Sequence, residues 1–327
     1  MSNINSVDYV YSTLLGHVLS NGVMRDNRTG TPSISIFPAV VKYDLSDNKL
    51  PLLQTKRVAV NALIHELLWF ISGSTSVKYL LDNNVRIWNP WVKVGTEVYK
   101  REDGERVLVD GDLGPVYGKQ WRFWEDTRLV SHIEFYGNLD KYLDQGYAVV
   151  DKTVHGKLVI SRKIDQLSNI VKQLKNDPTS RRIILSAWNV GDLDHMALPP
   201  CHMTLQLYVR NLNDTTPPIV DAVLYMRSND LPIGCPFNIA QYGLLVQILA
   251  HMVGYKAGHL THVIGDAHIY TDQAVGVCEQ LSRDISTDAP KVEFARMFDS
   301  VDDIRFDDIK IVEYHPQPSI KFPAPAV

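Results

Sequence analysis

The sequence predicts one α/β or α+β domain, and three observations carry that prediction. Apolar residues recur at helical spacing over 7–21, 59–71, 164–175 and 238–253, the pattern of helices that bury at least one face. Between them, residues 203–209 and 219–225 alternate apolar with polar side chains, the period of a half-buried strand. No internal repeat, low-complexity tract or linker interrupts the chain, so helices and strands are expected to share one core over residues 1–327. A chain of 327 residues is long enough to bury a large core without metals or disulfides.

Each element has its own local signal. The first helix stops at Asn21-Gly22. Ile34, Ile36, Val40 and Tyr43 alternate with small or polar residues and read as strand. The helix over 59–71 is apolar all round, as a buried helix is, and Ser72-Gly73-Ser74 ends it. Residues 92–111 are polar and charged and read as an exposed loop or hairpin. Residues 125–163 mix short apolar runs with Gly137, Gly146 and Gly156, which suggests a second insertion. The helix over 164–175 stops at Asp177-Pro178, and 182–188 is an apolar strand run. The strands over 203–209 and 219–225 are joined by the polar, Pro-rich turn 211–218. The long helix over 238–253 ends at Gly254, and 262–264 and 309–314 are late strands.

Charge and cysteine content exclude several classes. Lys+Arg is 33 against 37 Asp+Glu, a net charge of −4, so there is no overall basic field for nucleic acid. Any bound anion needs a local Arg cluster. The start, MSNINSVDYVYSTLL, lacks the basic opening and apolar core of a signal peptide, and no apolar run reaches the length of a membrane span. Three cysteines cannot all pair, and reduced thiols in a soluble cytoplasmic protein are expected. No CxxC occurs and the histidines are scattered, which argues against a metal site.

Chemistry concentrates at a few places. Pro199-Pro200 fix the backbone before Cys201 and deny it helix or central-strand pairing, so the thiol resembles a presented nucleophile or else a small buried apolar residue. Cys278 follows a helical pattern and reads as packing. Cys235, between Gly234 and Pro236, reads as a turn residue. Arg28, Arg181, Arg182 and Arg227 lie at turns or strand ends, and Arg227-Ser228 at a strand end can offer a guanidinium fork and a hydroxyl to one phosphate. Glu66 lies inside an apolar helix, where a carboxylate is costly unless hydrogen-bonded or functional. Asp230, Asn238 and His268 are polar residues flanked by apolar segments.

Leu198-Pro199-Pro200-Cys201-His202 resembles the active-site corner of the thymidylate synthase family. Further motifs resemble that family in the right order: Arg28-Thr29-Gly30-Thr31, His65 to Phe70, Asn83 to Trp88, Gly114 to Arg122, Ser180 to Ile184, Arg227-Ser228-Asn229-Asp230, Pro236-Phe237-Asn238-Ile239 and Gly265 to Tyr270. The resemblance covers nearly the whole chain except about 92–111 and 125–163. It implies a mixed, kinked β-sheet flanked by helices, in a homodimer whose sheets pack back to back. It also implies transfer of a one-carbon unit from 5,10-methylenetetrahydrofolate to C5 of dUMP, with no metal, DNA or membrane partner.

By the same resemblance, Cys201 adds to the pyrimidine C6 and turns C5 into a carbon nucleophile, with Arg charge favouring its thiolate. Glu66, Tyr117 and Asp230 support proton transfer, and Asn238 reads the uracil edge. Arg28, Arg227 and Ser228 hold the phosphate, with Arg181 and Arg182 reaching from the partner subunit. His202 joins the nucleotide site, and His268 and Tyr270 bond the sugar. Ile87, Trp88, Trp91, Asp230, Ile233, Gly234 and Phe237 line the folate pocket, Lys56 meets the folate tail, and Val327 closes the site as a lid. Met226, Asn89, Pro32 and the turn Leu231-Pro232-Ile233-Gly234 depart from the family pattern. They lie where hydride reduction to dTMP is decided against water capture, the reaction of a deoxyuridylate hydroxymethylase. A dCMP-acting relative and a silent nucleotide- or RNA-binding one are further alternatives. Retention of Cys201, Glu66, Asn238 and the arginines argues against the silent one.

Overall fold

Alternation over the strand-like segments resolves into a sheet gathered around one long strand. The structure, a computed structural model, describes residues 6–92, 98–100, 106–108, 111–152, 156–212 and 215–323. In chain order, α1 (Val7–Asn21) precedes β1 (Val23–Arg25), β2 (Ser33–Ile36) and β3 (Ala39–Asp44). Next come α2 (Val60–Ser72), α3 (Lys78–Asp82), the strands β4 (Val98–Lys100) and β5 (Arg106–Leu108), and α4 (Tyr117–Phe123). Then follow β6 (Trp124–Ser131), α5 (His132–Gly137), α6 (Leu139–Asp144), β7 (Ala148–Lys152) and β8 (Lys157–Ile164). The second half holds α7 (Gln166–Asn176), β9 (Ile184–Ser186), β10 (His202–Arg210), β11 (Ile219–Asp230), α8 (Gly234–Met252), β12 (Lys256–Tyr270), α9 (Ala274–Leu281), β13 (Lys291–Phe294) and β14 (Ile309–Val312).

The main sheet runs β1-β2-β12-β11-β10-β9, with β3 also on β12. It is mixed, because β11 and β12 are parallel while the other pairs are antiparallel. Parallel neighbours need a crossover, and α8 supplies it. Register shifts between His202 and Thr204 and between Val220 and Ala222 mark bulges, which bend strands and raise their twist. The fold is thus the mixed α/β arrangement expected, with a distorted sheet covered by helices.

Helix α8 carries apolar residues all round because it is buried all round, Ile239, Leu244, Ile248 and Leu249 among them. Helix α2 packs on it and on α4. Helix α1 begins at Ser6, whose side chain caps the Tyr9 N–H. Its buried Asp8 accepts from the Gln54 and Thr55 N–H groups and the Thr55 hydroxyl, fixing the segment before α2. Residues 124–164 build a separate sheet, β6-β8-β7, over a cluster of Val130, Phe135, Tyr142, Tyr147, Leu158 and Ile160. There the Tyr147 hydroxyl donates to the Asp126 carboxylate, which also receives Arg128 and Arg162.

Four local expectations change. The apolar run through Tyr43 splits at Phe37-Pro38, where proline has no N–H to pair, and β2 and β3 lie end to end along β12. The short strand at 262–264 is part of the fifteen-residue β12; Gly258, Gly265 and buried His262 obscure its alternation. Cys235 is not in a turn but in the first turn of α8, fully buried; Pro236 is tolerated there because the first-turn N–H groups lack helical acceptors. Cys278 is exposed rather than packed, since α9 buries Val277 and Gln280 instead.

Gly118 lets α4 approach α2. A Cβ there would lie 2.6 Å from the Phe70 carbonyl oxygen, a backbone atom that cannot swing away. Gly118→Ala is expected to destabilise the protein by about 1–3 kcal/mol and to weaken activity through neighbouring Tyr117. Urea unfolding midpoints check the first effect, and a midpoint equal to wild type would refute it.

Candidate active site

The loop into β10 presents Cys201. Its N–H donates to the Tyr117 hydroxyl at 2.8 Å, and its carbonyl accepts from the Arg227 N–H at 3.0 Å. The Arg227 guanidinium donates to the Pro200 and Pro199 carbonyls at 2.9 and 2.8 Å. Cys201 is partly accessible. Burial still pushes its thiol up, against the opposing pull of Arg227, the Tyr117 hydrogen bond and Arg28. Arginine charge does act on the sulfur as expected, but in the free chain desolvation outweighs it. Cys235, buried in apolar surroundings, is pushed up to about 12 and has no nucleophilic character at neutral pH.

Glu66 lies mid-helix in α2 and is buried. Trp88 Nε1 donates to one carboxylate oxygen at 2.6 Å and the Gln241 amide donates to the other. Burial raises its pKa to about 7, and these neutral donors only partly oppose it. A carboxyl that binds a proton near neutrality suits general acid–base work. Tyr117 bridges the two groups: its ring centroid is 4.7 Å from that of His202 and 6.0 Å from that of Trp88.

His202 is buried and neutral, held down to about 3 by burial first, then by His262 and Arg227. Asn238 Nδ2 meets His202 Nε2 at 2.8 Å. An amide nitrogen only donates, so Nε2 is the acceptor and Nδ1 carries the imidazole hydrogen. His202 Nδ1 and Gln241 Oε1 are buried without hydrogen-bond partners among the described residues. Such atoms fit a site that takes a polar ligand or ordered water.

The residues expected to hold the nucleotide lie on β11, β12 and the turns before β2 and β9. Exposed Arg28 lies in the turn before β2, close enough to act on the charges of both Cys201 and Tyr270. Arg227 and Ser228 lie near the end of β11. His268 Nδ1 lies 3.2 Å from Asp266 Oδ1; if it donates there, Nε2 is left as acceptor. Arg181 and Arg182 are exposed in the turn before β9. On the folate side, Asp230, Ile233, Gly234 and Phe237 cluster where β11 passes into α8: Asp230 Oδ1 accepts the Ile233 N–H at 3.1 Å. Trp91 stacks obliquely on Trp88 at 5.5 Å, and Ile87 is half-buried beside them. Lys56, expected to meet the folate tail, lies in the interior. Its ammonium is buried, donates to the Pro232 carbonyl and lies 4.5 Å from the Phe322 ring centre. Burial lowers its pKa to about 8. Val327 lies outside the described residues.

Sequence reasoning missed Gln241 and Gln273. Gln241 follows Asn238 at i+3 on α8, a one-face spacing that could have found it; Gln273 carries no such signal. Met226, a departure from the family pattern, is buried, pairs with His202 in register and accepts Asn229 Nδ2 at its sulfur, 3.5 Å away. A cavity of about 640 Å³ lies at the other end of the sheet, lined by Lys42, Asp44, Arg210, Lys256 and His259. It is lined by no cysteine, and Arg210 there pairs with Asp221 at 2.8 Å, so chemistry rather than cavity size locates the site. Among the described residues, no group of three or more His, Cys, Asp or Glu could hold a metal ion, and no helix is long and apolar enough to cross a membrane.

A mixed sheet that presents a partly accessible cysteine, with a proton-holding carboxyl in the adjoining core and arginines at turns and strand ends, has the equipment of an enzyme with a nucleophilic step. The sequence profile of the family described as thymidylate synthase matches residues 9–326. The chain is 39% identical to a thymidylate synthase of Rhizobium rhizogenes, the alignment covering 96% of each protein. It is 38% identical to a thymidylate synthase of Ascaris suum, with 98% of each covered. The chain belongs to the thymidylate synthase family, which uses methylenetetrahydrofolate as co-substrate.

The raised pKa of Glu66 has a thermodynamic consequence. The folded chain keeps this proton where the unfolded chain has lost it, so this group makes stability fall as pH rises from about 4.5 to about 7 and adds no slope above. Glu66→Gln removes that dependence. Its stability relative to wild type is expected to rise by up to about 3 kcal/mol between pH 4.5 and pH 8. Chemical denaturation of both proteins across that range measures it, and a pH-independent difference would refute the assignment.

Proposed function

We propose that the protein is a thymidylate synthase, forming dTMP and dihydrofolate from dUMP and methylenetetrahydrofolate. The observation that carries this reading is the cysteine corner: a partly accessible Cys201 locked by Tyr117 and Arg227. Arg28, Arg227 and Ser228 take the phosphate, the two guanidinium groups offering charge-assisted hydrogen bonds to its oxygens. The Cys201 sulfur adds to C6 and places electron density on C5 and O4. Asn238, with one amide hydrogen on His202, keeps the second for O4 and its oxygen for N3–H. Glu66 exchanges protons with the O4 side, and Tyr117 takes part in proton removal at C5. His268 Nε2 and the Tyr270 hydroxyl hold the sugar.

C5 attacks the methylene carbon of the folate, whose pterin lies on Asp230 among Ile87, Trp88, Trp91, Ile233, Gly234 and Phe237. Loss of the C5 proton expels N5 of the folate and leaves an exocyclic methylene on C5 while Cys201 stays bonded to C6; hydride from the folate then adds to that methylene, and Cys201 leaves as the C5–C6 double bond returns. The tetrahydrofolate ring thereby becomes dihydrofolate, and the equation balances without another reductant. Lys56 meets the carboxylates of the folate tail when the segment bearing Phe322 shifts. The names of both relatives favour this outcome over hydroxymethylation.

A cytoplasmic homodimer completes the reading. On the outer sheet face Ile184, Tyr208, Val223, Tyr225 and Val40 are exposed, Tyr208 at 64% and Val40 at 62%. Apolar exposure of this extent on one face supports a subunit interface. Arg181 and Arg182, just before β9, are then placed to reach the partner's phosphate.

Incubation with dUMP and methylenetetrahydrofolate is expected to yield dihydrofolate in equal amount with a nucleotide of dTMP mass. A product heavier by one oxygen, with no dihydrofolate, would establish hydroxymethylation instead. Cys201→Ser is expected to lose turnover while dUMP affinity, measured by calorimetry, stays within about tenfold, since the phosphate and base contacts remain. Substantial residual turnover would remove Cys201 from its role.

A further inference from the structure

Gln273 follows directly after the strand that carries His268 and Tyr270, and it is 2% exposed. A buried primary amide must satisfy both of its ends. Its Oε1 accepts from the Tyr270 N–H at 2.9 Å, and its Nε2 donates to Asp230 Oδ2 at 3.1 Å. A backbone N–H can only donate, so the amide oxygen must face Tyr270 and the NH2 group is turned onto the carboxylate. The same junction is tied at the backbone. Asp230 is opposite His268 in the β11–β12 register, and the Leu231 N–H donates to the His268 carbonyl at 2.9 Å.

We propose that Gln273 is a positioning residue for the folate: it aims the Asp230 carboxylate, keeps it anionic, and couples that arrangement to Tyr270 on the nucleotide side. The inference rests on the reading of Asp230 as the pterin contact. A pterin offers N–H groups to such a contact, and only an ionised carboxylate accepts with both oxygens. Burial of Asp230 favours its protonated form; the Gln273 donor opposes this most strongly, ahead of the Ile233 N–H, His268 and Lys56. Tyr11, Tyr270 and Cys235 also feel the Asp230 charge, and burial keeps all of them neutral. Among the described side chains, Gln273 thus touches the Asp230 carboxylate and the strand bearing Tyr270 together.

Two substitutions separate aim from bulk. Gln273→Glu keeps an oxygen for the Tyr270 N–H but turns an acceptor onto Asp230. Gln273→Met removes both contacts at similar volume. Steady-state kinetics are measured from pH 6.5 to 8.5, with dUMP affinity and thermal unfolding alongside. Gln273→Glu is expected to raise KM for methylenetetrahydrofolate about tenfold at pH 8, with dUMP affinity within about twofold of wild type. The deficit should shrink toward pH 6.5, because the introduced acid, once protonated, can donate to Asp230. Gln273→Met should show the loss without recovery. A folate KM within twofold of wild type for Gln273→Glu across the range would overturn the proposal. So would equal losses in both variants that track lower Tm and weaker dUMP binding. Asp230→Asn, run in parallel, keeps the two readings apart. If it leaves the folate KM unchanged, the role of Asp230 falls and this inference with it. If it raises KM while Gln273→Glu does not, the role of Gln273 alone falls.

Discussion

Everything at the site depends on how a corner with two prolines is held. Pro199 and Pro200 have no N–H to donate, so sheet pairing cannot fix this stretch, yet their carbonyls still need donors. The Arg227 guanidinium satisfies both, while Tyr117 accepts the Cys201 N–H. The nucleophile is therefore located by side chains from β11 and α4, not by its own strand. Arg227 is also the strongest of the groups that favour the Cys201 thiolate, so the group that positions the thiol is the one that most opposes the desolvation keeping it protonated.

Glu66 and Cys201 share the problem of burial, which raises the proton affinity of both. The donors around each differ accordingly. Arg227 and Arg28 act on Cys201 with full charges, which favour the anion. Glu66 receives only a neutral indole and a neutral amide. A cation in place of either donor would hold Glu66 ionised and abolish its capacity to take and return a proton near pH 7. His202 between them is kept neutral, so it adds no competing charge.

Much of this was legible in the sequence because the informative residues break local rules. A thiol after two prolines and a carboxylate inside an apolar helix are conspicuous, and the ordered motifs tie them to a family. The amide network was not legible. Gln241 reaches α2 across 175 positions of sequence and Gln273 reaches Asp230 across 43; the i+3 spacing of Gln241 from Asn238 hints at a shared face, but only tertiary pairing shows which groups the two amides hold. Lys56 illustrates the converse. The family resemblance assigns it to the folate tail, but nothing in the local sequence shows that its ammonium is buried against Phe322. Strand lengths were blurred where glycines and a buried histidine interrupt β12.

The sheet's outer face links assembly to anion binding. A chain of net charge −4 has no general field for a phosphate, so the cations must be gathered locally. Arg28 and Arg227 come from within the chain. Arg181 and Arg182 are exposed immediately before β9, and Ile184 of that strand lies on the apolar outer face with Tyr208, Val223 and Tyr225. Burying this face against a second copy would immobilise the β9 edge and carry both arginines with it. The hydrophobic area that would drive such pairing and the charges that would complete a phosphate site are therefore adjacent in the chain. On this arrangement, loosening the interface would weaken nucleotide binding even with every residue around Cys201 intact.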